Sequence, residues 1–506
     1  MNTKTTIPEQ FYKIHPWDHQ RSAVEECEQR SFYALFHEMG TGKTGTVINI
    51  LRRKFTIERR PLRTLILTPL GVVRQFHEEF LKFGGPQYKH LVLSLAGETK
   101  KVKLKKLKDF KGSIYITNHE MFTTDEIVHF FWEQKLELLI VDESHLYKNC
   151  ESMRTKKILG LVDGKLMGRR QKMITTKEGP RMIKVFTKIA DHSTPIKYRF
   201  VLTGSPILNS ITDIWAQMRI LSPYIFPNTF TEFSRKYQTN ANPPGAPFPK
   251  IVTRKGAAEA VNNIIMQYGS RVKKEDCLTL PPLVKTRLDV PMTPEQNRLY
   301  QEMKNKLVAY MADSAMVAEI ALTKSLRLLQ ILCGVFVADD GATKPIKSNR
   351  LKVLEDCLSG LPPNSQLIVW TNFASTYDSI SKVLDKLEIT HGRIVGGQTN
   401  NARVQVMDDF AQGTIRCVLA NQKAGGTGIN LTQASYSIYY SRSYALGEDL
   451  QSQARNYRGG SNIHEKVTRI DLVTPNSIDT TILGALSSKL NLAELVLRVK
   501  EGLNED

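Results

Sequence analysis

Glu38-Met-Gly-Thr-Gly-Lys-Thr44 stands between an apolar run, Phe32 to Phe36, and a run of helical character, Thr46 to Lys54. Strand, glycine turn and helix are the setting a phosphate-binding loop requires. Gly40, Thr41 and Gly42 would close backbone N–H groups around phosphate oxygens, and the helix N-terminus adds positive potential. Lys43 would meet the β- and γ-phosphates while the Thr44 hydroxyl ligates Mg²⁺. About 100 residues on, Val141-Asp-Glu-Ser-His145 ends a second apolar run. Two adjacent carboxylates at the end of a buried strand are costly unless they serve a metal or a reaction. Asp142 is placed to hold Mg²⁺, directly or through water, and Glu143 to orient and deprotonate an attacking water. Together the motifs predict a nucleoside triphosphatase.

Such residues need a sheet to hold them. Thr64–Thr68, Ser113–Thr117, Leu136–Val141 and Arg199–Thr203 read as buried parallel strands. Their alternation with helical stretches over residues 30–220 predicts a doubly wound α/β lobe. Gln366–Trp370, His391–Val395, Arg416–Ala420 and Tyr436–Tyr440 predict a second one. Between the lobes, over roughly 216–345, amphipathic patterns such as Thr293 to Met311 and Ala318 to Leu332 predict a mainly helical bridge. The stretch Asn242-Pro-Pro-Gly-Ala-Pro-Phe-Pro249 interrupts it as a loop.

Phe200-Val-Leu-Thr-Gly-Ser-Pro-Ile-Leu-Asn-Ser210 resembles motif III of the Swi/Snf-type DNA translocases of helicase superfamily 2. Asp142-Glu-Ser-His145 is similar to that family's DEAH, and His37 in place of a first glycine fits the shorter helicase form of the phosphate loop. Pro16-Trp-Asp-His-Gln20 resembles the adenine-recognition motif, and Leu65–Leu70 and Ile116–Glu120 resemble motifs that contact a DNA backbone. The likeness continues through Arg271–Asp276, Leu280–Pro282, Met292–Gln296 and Leu326–Cys333 in the bridge. In the second lobe, Val369–Phe373 and Ala424-Gly-Gly-Thr-Gly-Ile-Asn-Leu-Thr432 resemble motifs IV and V, and Gln451–Gly460 resembles motif VI.

The resemblance implies two RecA-like lobes, ATP with Mg²⁺ as cofactors, Gln20 as base reader, and Thr203 and Ser205 as the link between nucleotide state and lobe closure. Arg455 and Arg458, three apart on one helix face, would neutralise charge developing on the γ-phosphoryl group. It implies domains at 1–215 (ATP-binding lobe), 216–345 (bridge), 346–480 (second lobe) and 481–506 (helical tail). It also implies an ATP-dependent motor tracking on duplex or branched DNA without sequence preference, holding one strand 3′ to 5′. The alternative is a strand-separating or branch-migrating helicase of replication, recombination or repair; an RNA helicase and a non-hydrolysing scaffold fit the motifs less well. Gly459-Gly-Ser461 departs from the usual Ile-Gly-Gln, which leaves room for a protein activator. Ser441-Arg-Ser-Tyr444 replaces an aspartate and tryptophan of many chromatin-remodelling relatives and points to a compact, bacteriophage-type member.

Composition agrees. The 506 residues carry a net charge of +20 with 41% hydrophobic residues, which excludes wholesale disorder and suits three or four domains. No apolar run approaches a membrane span, and Met1 to His15 lacks a secretory core, predicting an intracellular soluble protein; the resemblance implies the cytoplasm of a bacterial or phage-infected cell. Six scattered cysteines argue against a zinc site or disulfide framework. Lys100 to Lys111 holds a net +6 and residues 152–190 a net +9, so most of the excess belongs to the first lobe. Such patches make salt-sensitive phosphate contacts. The second patch lies in an insertion. Asp142 and Thr203 stand about 60 residues apart, roughly twice the family pattern, and the strands flanking Glu178-Gly-Pro180 predict a basic β-hairpin over Lys172–Phe186 that touches DNA.

Overall fold

Short β-branched runs become the strands of two parallel sheets in the computed structural model, which describes residues 7–176, 179–191, 195–242, 251–313, 317–338, 342–425 and 429–497. The chain divides into two compact units, one of Met1–Asn242, Lys250–Cys277 and Leu492–Asp506, the other of Pro243–Pro249 and Leu278–Asn491.

In the first unit, β1 (Phe32–His37), β2 (Thr64–Thr68), β3 (Val92–Leu95), β4 (Ile114–Asn118) and β5 (Leu138–Asp142) belong to one seven-stranded sheet. Beyond β5 the chain forms a hairpin, β6 (Lys165–Thr176) and β7 (Gly179–Asp191), then returns to the sheet as β8 (Tyr198–Leu202). A short ribbon of β9 (Gln238–Asn240) and β10 (Ile251–Thr253) precedes the last sheet strand, β11 (Gly269–Val272). The order is β11-β1-β8-β5-β2-β4-β3, all pairs parallel. Leu65, Leu67, Leu139 and Val141 enter one apolar core while Ile66, Ile116, Leu138 and Ile140 enter another. Burial on both faces, with alternate residues taking opposite sides, is what the continuous apolar runs require.

The bridge is helical through Asp213–Leu221, Phe230–Tyr237, Ala257–Ile265, Pro294–Asp313 and Val317–Leu332, but it also supplies β11 and β12 (Leu283–Asp289) to the two sheets. Their polar residues hid them. β12 carries Lys285, Thr286, Arg287 and Asp289 on an exposed edge, and β11 runs Gly-Ser-Arg-Val, where a Cβ on Gly269 would stand 2.6 Å from the Ala34 carbonyl oxygen. The loop expected over Asn242–Pro249 lies, after Asn242, outside the described residues.

The second unit holds β12, β15 (Gln366–Trp370), β16 (His391–Ile394), β17 (Cys417–Ala420), β18 (Ala434–Tyr439) and β19 (Val467–Val473), with a small ribbon of β13 (Val335–Val337) and β14 (Thr343–Pro345) beside them. Its sheet order is β12-β19-β18-β15-β17-β16, again all parallel. Both lobes are therefore doubly wound parallel sheets of the RecA-like kind.

The β6–β7 hairpin is longer than its sequence signal, pairing Lys165 with Asp191 at the root and Thr176 with Gly179 near the tip; residues 177 and 178 lie outside the described residues. Its root is fixed to the first unit. Trp132 Nε1 donates to the Gly164 carbonyl at 2.9 Å, Ile196 N to the Val162 carbonyl at 3.0 Å, and Leu166 packs in the core with Ile127, Phe131 and Ile158.

Candidate active site

Because every strand of the first sheet runs the same way, the loops after β1, β2, β4, β5 and β8 all leave one edge. That edge is where parallel α/β sheets bind ligands. Glu38, Thr68, Asn118, Asp142 and Thr203 are all at or next to these strand ends.

The loop after β1 turns through Gly40 at φ 90° and Gly42 at φ 78°, left-handed values that an L side chain rarely adopts. The helix Lys43–Glu58 then begins without a side-chain cap, so its first N–H groups are available to an anion. Lys43 Nζ donates to the Glu38 carbonyl at 3.1 Å, across the mouth of this loop. Gln20 lies against the loop. Its Oε1 accepts from Trp17 N at 2.9 Å and its Nε2 donates to the Gly42 carbonyl at 3.2 Å. A Cβ on Gly42 would stand 2.1 Å from that nitrogen. Under the loop His37 is buried against Ser270 Oγ at 2.8 Å, and burial, with Lys43 and His19 nearby, lowers its pKa to about 3.

Asp142 closes β5, buried at 8% exposure. The Thr68 hydroxyl donates to its Oδ2 at 3.1 Å and Glu143 N to its Oδ1 at 2.9 Å. Burial pushes its pKa up to about 7, and the neighbouring Glu143 adds to the rise while Lys43 and the Thr68 hydroxyl oppose it. Glu143 adopts φ 47°, ψ 50°, a conformation uncommon outside glycine and typical of strained functional positions. Its Oε2 lies 3.4 Å from the Thr203 hydroxyl and 3.2 Å from His145 Nδ1, and Ser205 N donates to the same hydroxyl at 3.1 Å. Gly204 brings this third loop against the first: a Cβ there would meet Glu38 Cα at 3.0 Å and the His37 carbonyl at 3.1 Å.

A buried, proton-hungry carboxylate beside an ammonium, a hydroxyl and a helix start without a side-chain cap fits Mg²⁺ with a polyphosphate. The structure thus brings Gln20, Gly40, Thr41, Gly42, Lys43, Thr44, Asp142, Glu143 and Thr203 to one edge. Three contributions, those of Thr68, Gln217 and His119, escaped the sequence reading. Thr68 steadies Asp142, and only its register on β2 beside β5 could have marked it. Ser144 Oγ donates to Gln217 Oε1 at 2.8 Å, a pairing 73 residues apart with no local signal. His119 is buried with Nδ1 3.1 Å from the Tyr147 hydroxyl, tying the loop after β4 to the loop after β5.

In the second unit the helix Leu446–Gln453 ends before both arginines, so Arg455 and Arg458 do not share the helix face expected from their spacing but stand in the turn and bend that follow it. Arg455 is buried. Its Nε donates to the Gln451 carbonyl at 3.0 Å and its Nη1 to the Ile429 carbonyl at 3.0 Å, while its own carbonyl accepts from Leu431 N. Arg455 therefore ties the helix Leu446–Gln453 to the start of the Ile429–Thr432 stretch; residues 426–428 of that glycine run lie outside the described residues. Arg458 is half-buried, and Gly460 at φ 99° turns the chain after it, with Ser461 N donating to its carbonyl.

Residues 23–167 and 164–335 match the SNF2-related domain, and residues 349–460 match the helicase conserved C-terminal domain. Over 92% of its length the chain is 23% identical to an uncharacterized ATP-dependent helicase of Mycoplasma genitalium, covering 40% of that protein. It is 24% identical, also over 92%, to an ISWI chromatin-remodeling complex ATPase of Saccharomyces cerevisiae, covering 38% of it. The chain spans about two fifths of the length of these relatives. Among solved structures, a Sulfolobus solfataricus SWI2/SNF2 ATPase core in complex with dsDNA covers 96% of this chain at 20% identity, with a TM-score of 0.41. No helix among the described residues is long and apolar enough to cross a membrane. With the family models matched over residues 23–335 and 349–460, the chain belongs to the SNF2-related family and carries a helicase conserved C-terminal domain.

Proposed function

We propose that this protein is a DNA-dependent ATPase that converts ATP hydrolysis into movement along duplex or branched DNA. The observation that carries this reading is the convergence of the Gly40–Thr44 loop, the buried Asp142, the strained Glu143 and Thr203 at one sheet edge. Lys43 and the first N–H groups of its helix hold the β- and γ-phosphates; Thr44 and Asp142 hold Mg²⁺, which when bound supplies charge neutralisation at the phosphates. Glu143, kept in place by Thr203 and His145, orients a water and takes its proton. Gln20 reads the adenine edge. Arg455 and Arg458 counter the negative charge that grows on the transferred phosphoryl group.

DNA is the assigned partner. The loops after β2 and β4 carry exposed Leu70 and Glu120, and Lys101, Lys105 and Lys108 form an exposed i, i+4, i+7 stripe on the helix Lys100–Asp109. A second reading, strand separation or branch migration, is favoured by the long β6–β7 hairpin rooted on this unit. The Ser441–Tyr444 stretch supports placing the chain among compact bacteriophage-type members, acting in the cytoplasm of a bacterial or phage-infected host cell.

The deciding experiment is ATP turnover titrated against single-stranded, linear duplex and branched DNA. Strong stimulation by duplex or branched DNA is expected. Equal turnover with and without DNA would sink the translocase reading.

A further inference from the structure

Arg442 lies three residues past the end of β18, buried at 6% exposure. Its guanidinium serves two carboxylates. Nη1 pairs with Asp449 in the first turn of the helix Leu446–Gln453, and Nε donates to Asp471 Oδ1 on β19 at 2.7 Å. The Tyr439 ring centre lies 3.5 Å from the guanidinium carbon, and Arg469 Nε donates to the other Asp471 oxygen at 3.3 Å. Two arginines thus face two aspartates, with no net charge.

Removing such ions from water is costly, and apolar replacements of buried ion clusters are often neutral or stabilising. Stability alone therefore does not explain this cluster. Fixing a register does, and that is the best-attested use of buried polar groups. The element registered is the Leu446–Gln453 helix. Asp449 Oδ2 accepts from Gln453 Nε2 at 2.6 Å, and the Asp449 carbonyl accepts from Ser452 Oγ at 2.8 Å. Ser452 Oγ in turn lies 3.0 Å from the Tyr439 hydroxyl and accepts from Gln422 Nε2 at 3.3 Å. Arg455 follows the helix by two residues and Arg458 by five. A slip of this helix would have to break the Arg442–Asp449 pair, and it would move the Gln451 carbonyl that holds Arg455 and the turn that leads on to Arg458.

We propose that Arg442 is a positioning residue for ATP hydrolysis: by locking Asp449 of the helix to Asp471 of β19, it sets where Arg455 and Arg458 stand. The inference rests on the role given to those two arginines above. Arg442 itself touches no reacting atom.

The full chain carrying Arg442→Met, Arg442→Lys or Asp449→Asn tests this. Arg442→Met should lower the DNA-stimulated kcat by about 10- to 100-fold and leave the KM for ATP within about twofold, the signature of misplaced groups acting only on the reaction. In ATP-free protein, amide exchange should quicken over residues 446–453 while β15, β17 and β18 stay protected. Arg442→Lys should recover part of the rate, since an ammonium cannot span two carboxylates as a guanidinium does. Asp449→Asn should reproduce the loss and serves in place of Arg442→Met if that variant does not fold. On an Arg458→Ala background, Arg442→Met should cost little more.

Near-wild-type kcat in a folded Arg442→Met or Asp449→Asn protein overturns the inference. So does full additivity with Arg458→Ala, or a general loss of protection with KM rising in step. Full turnover in both Arg455→Ala and Arg458→Ala would remove the arginine assignment itself, and this inference with it.

Discussion

His145 Nδ1 lies 2.9 Å from the hydroxyl of Thr203, joining the loop after β5 to the loop after β8. Both groups also reach Glu143 Oε2. The Thr203 hydroxyl therefore links both groups that hold the proposed base. Thr203→Val keeps the shape and removes that hydroxyl. The expected result is a loss of about tenfold in DNA-stimulated kcat with ATP KM little changed, and Thr203→Ser should restore most of it. Steady-state kinetics on the three proteins decide the matter.

Glu143→Gln removes the proton acceptor while keeping size and most hydrogen bonds. Turnover should fall by about 100-fold or more. Equilibrium binding of a fluorescent ATP analogue should be retained, because Lys43 and the glycine loop are untouched.

Gly204→Ala presses a methyl onto backbone rather than onto a flexible side chain, with Glu38 Cα and the His37 carbonyl both within about 3.1 Å. Neither neighbour can swing aside. Chemical denaturation should show a loss of about 1–3 kcal/mol, and nucleotide affinity should weaken because the displaced segment is the phosphate loop.

His37 and His119 are both buried, and desolvation, the largest cause for each, lowers their pKa values to about 3. Below pH 6.5 the unfolded chain takes up two protons that the folded chain refuses until about pH 3. Stability from these groups is therefore full above 6.5 and is lost as pH falls towards 3, by up to about 1.4 kcal/mol per pH unit for each histidine. Denaturation at stepped pH should show this slope, and His119→Gln should flatten it.

Gly168 and Thr187 face each other across the β6–β7 hairpin, so residues 169–186 can be replaced by an Asn-Gly turn that leaves the root intact. DNA-free ATP turnover should stay as it was. Binding to branched DNA should weaken, with a shallower dependence on salt as basic residues are lost. Unchanged binding and unwinding would remove the hairpin from the DNA-handling surface.

The sequence made most of the first sheet readable because its strands are buried on both faces. Thr64–Thr68 and Gln366–Trp370 match β2 and β15 residue for residue. β11 and β12 were missed for the opposite reason: they are edge strands with polar residues, and their pairing partners lie far away in the chain. The phosphate loop and the carboxylate pair were legible because their chemistry needs particular residues in a row. Thr68, His119 and Gln217 were not, since they meet the site only after distant strands and helices pack. The hairpin was legible from its turn, but its full length follows from pairing that alternation alone does not delimit.

The second sheet also sets a timetable for synthesis on the ribosome. β12 is its first strand to be made, yet it lies at the edge and pairs with β19, whose residues emerge 184 positions later. At ordinary elongation rates that is roughly 10–40 s with an unpaired strand in the growing chain. The nascent first unit waits longer still, because Ala493 and Leu497 belong to its apolar core. β12 is suited to the delay: Lys285, Arg287 and Asp289 are exposed along it, and charge on a waiting edge discourages union with a foreign strand.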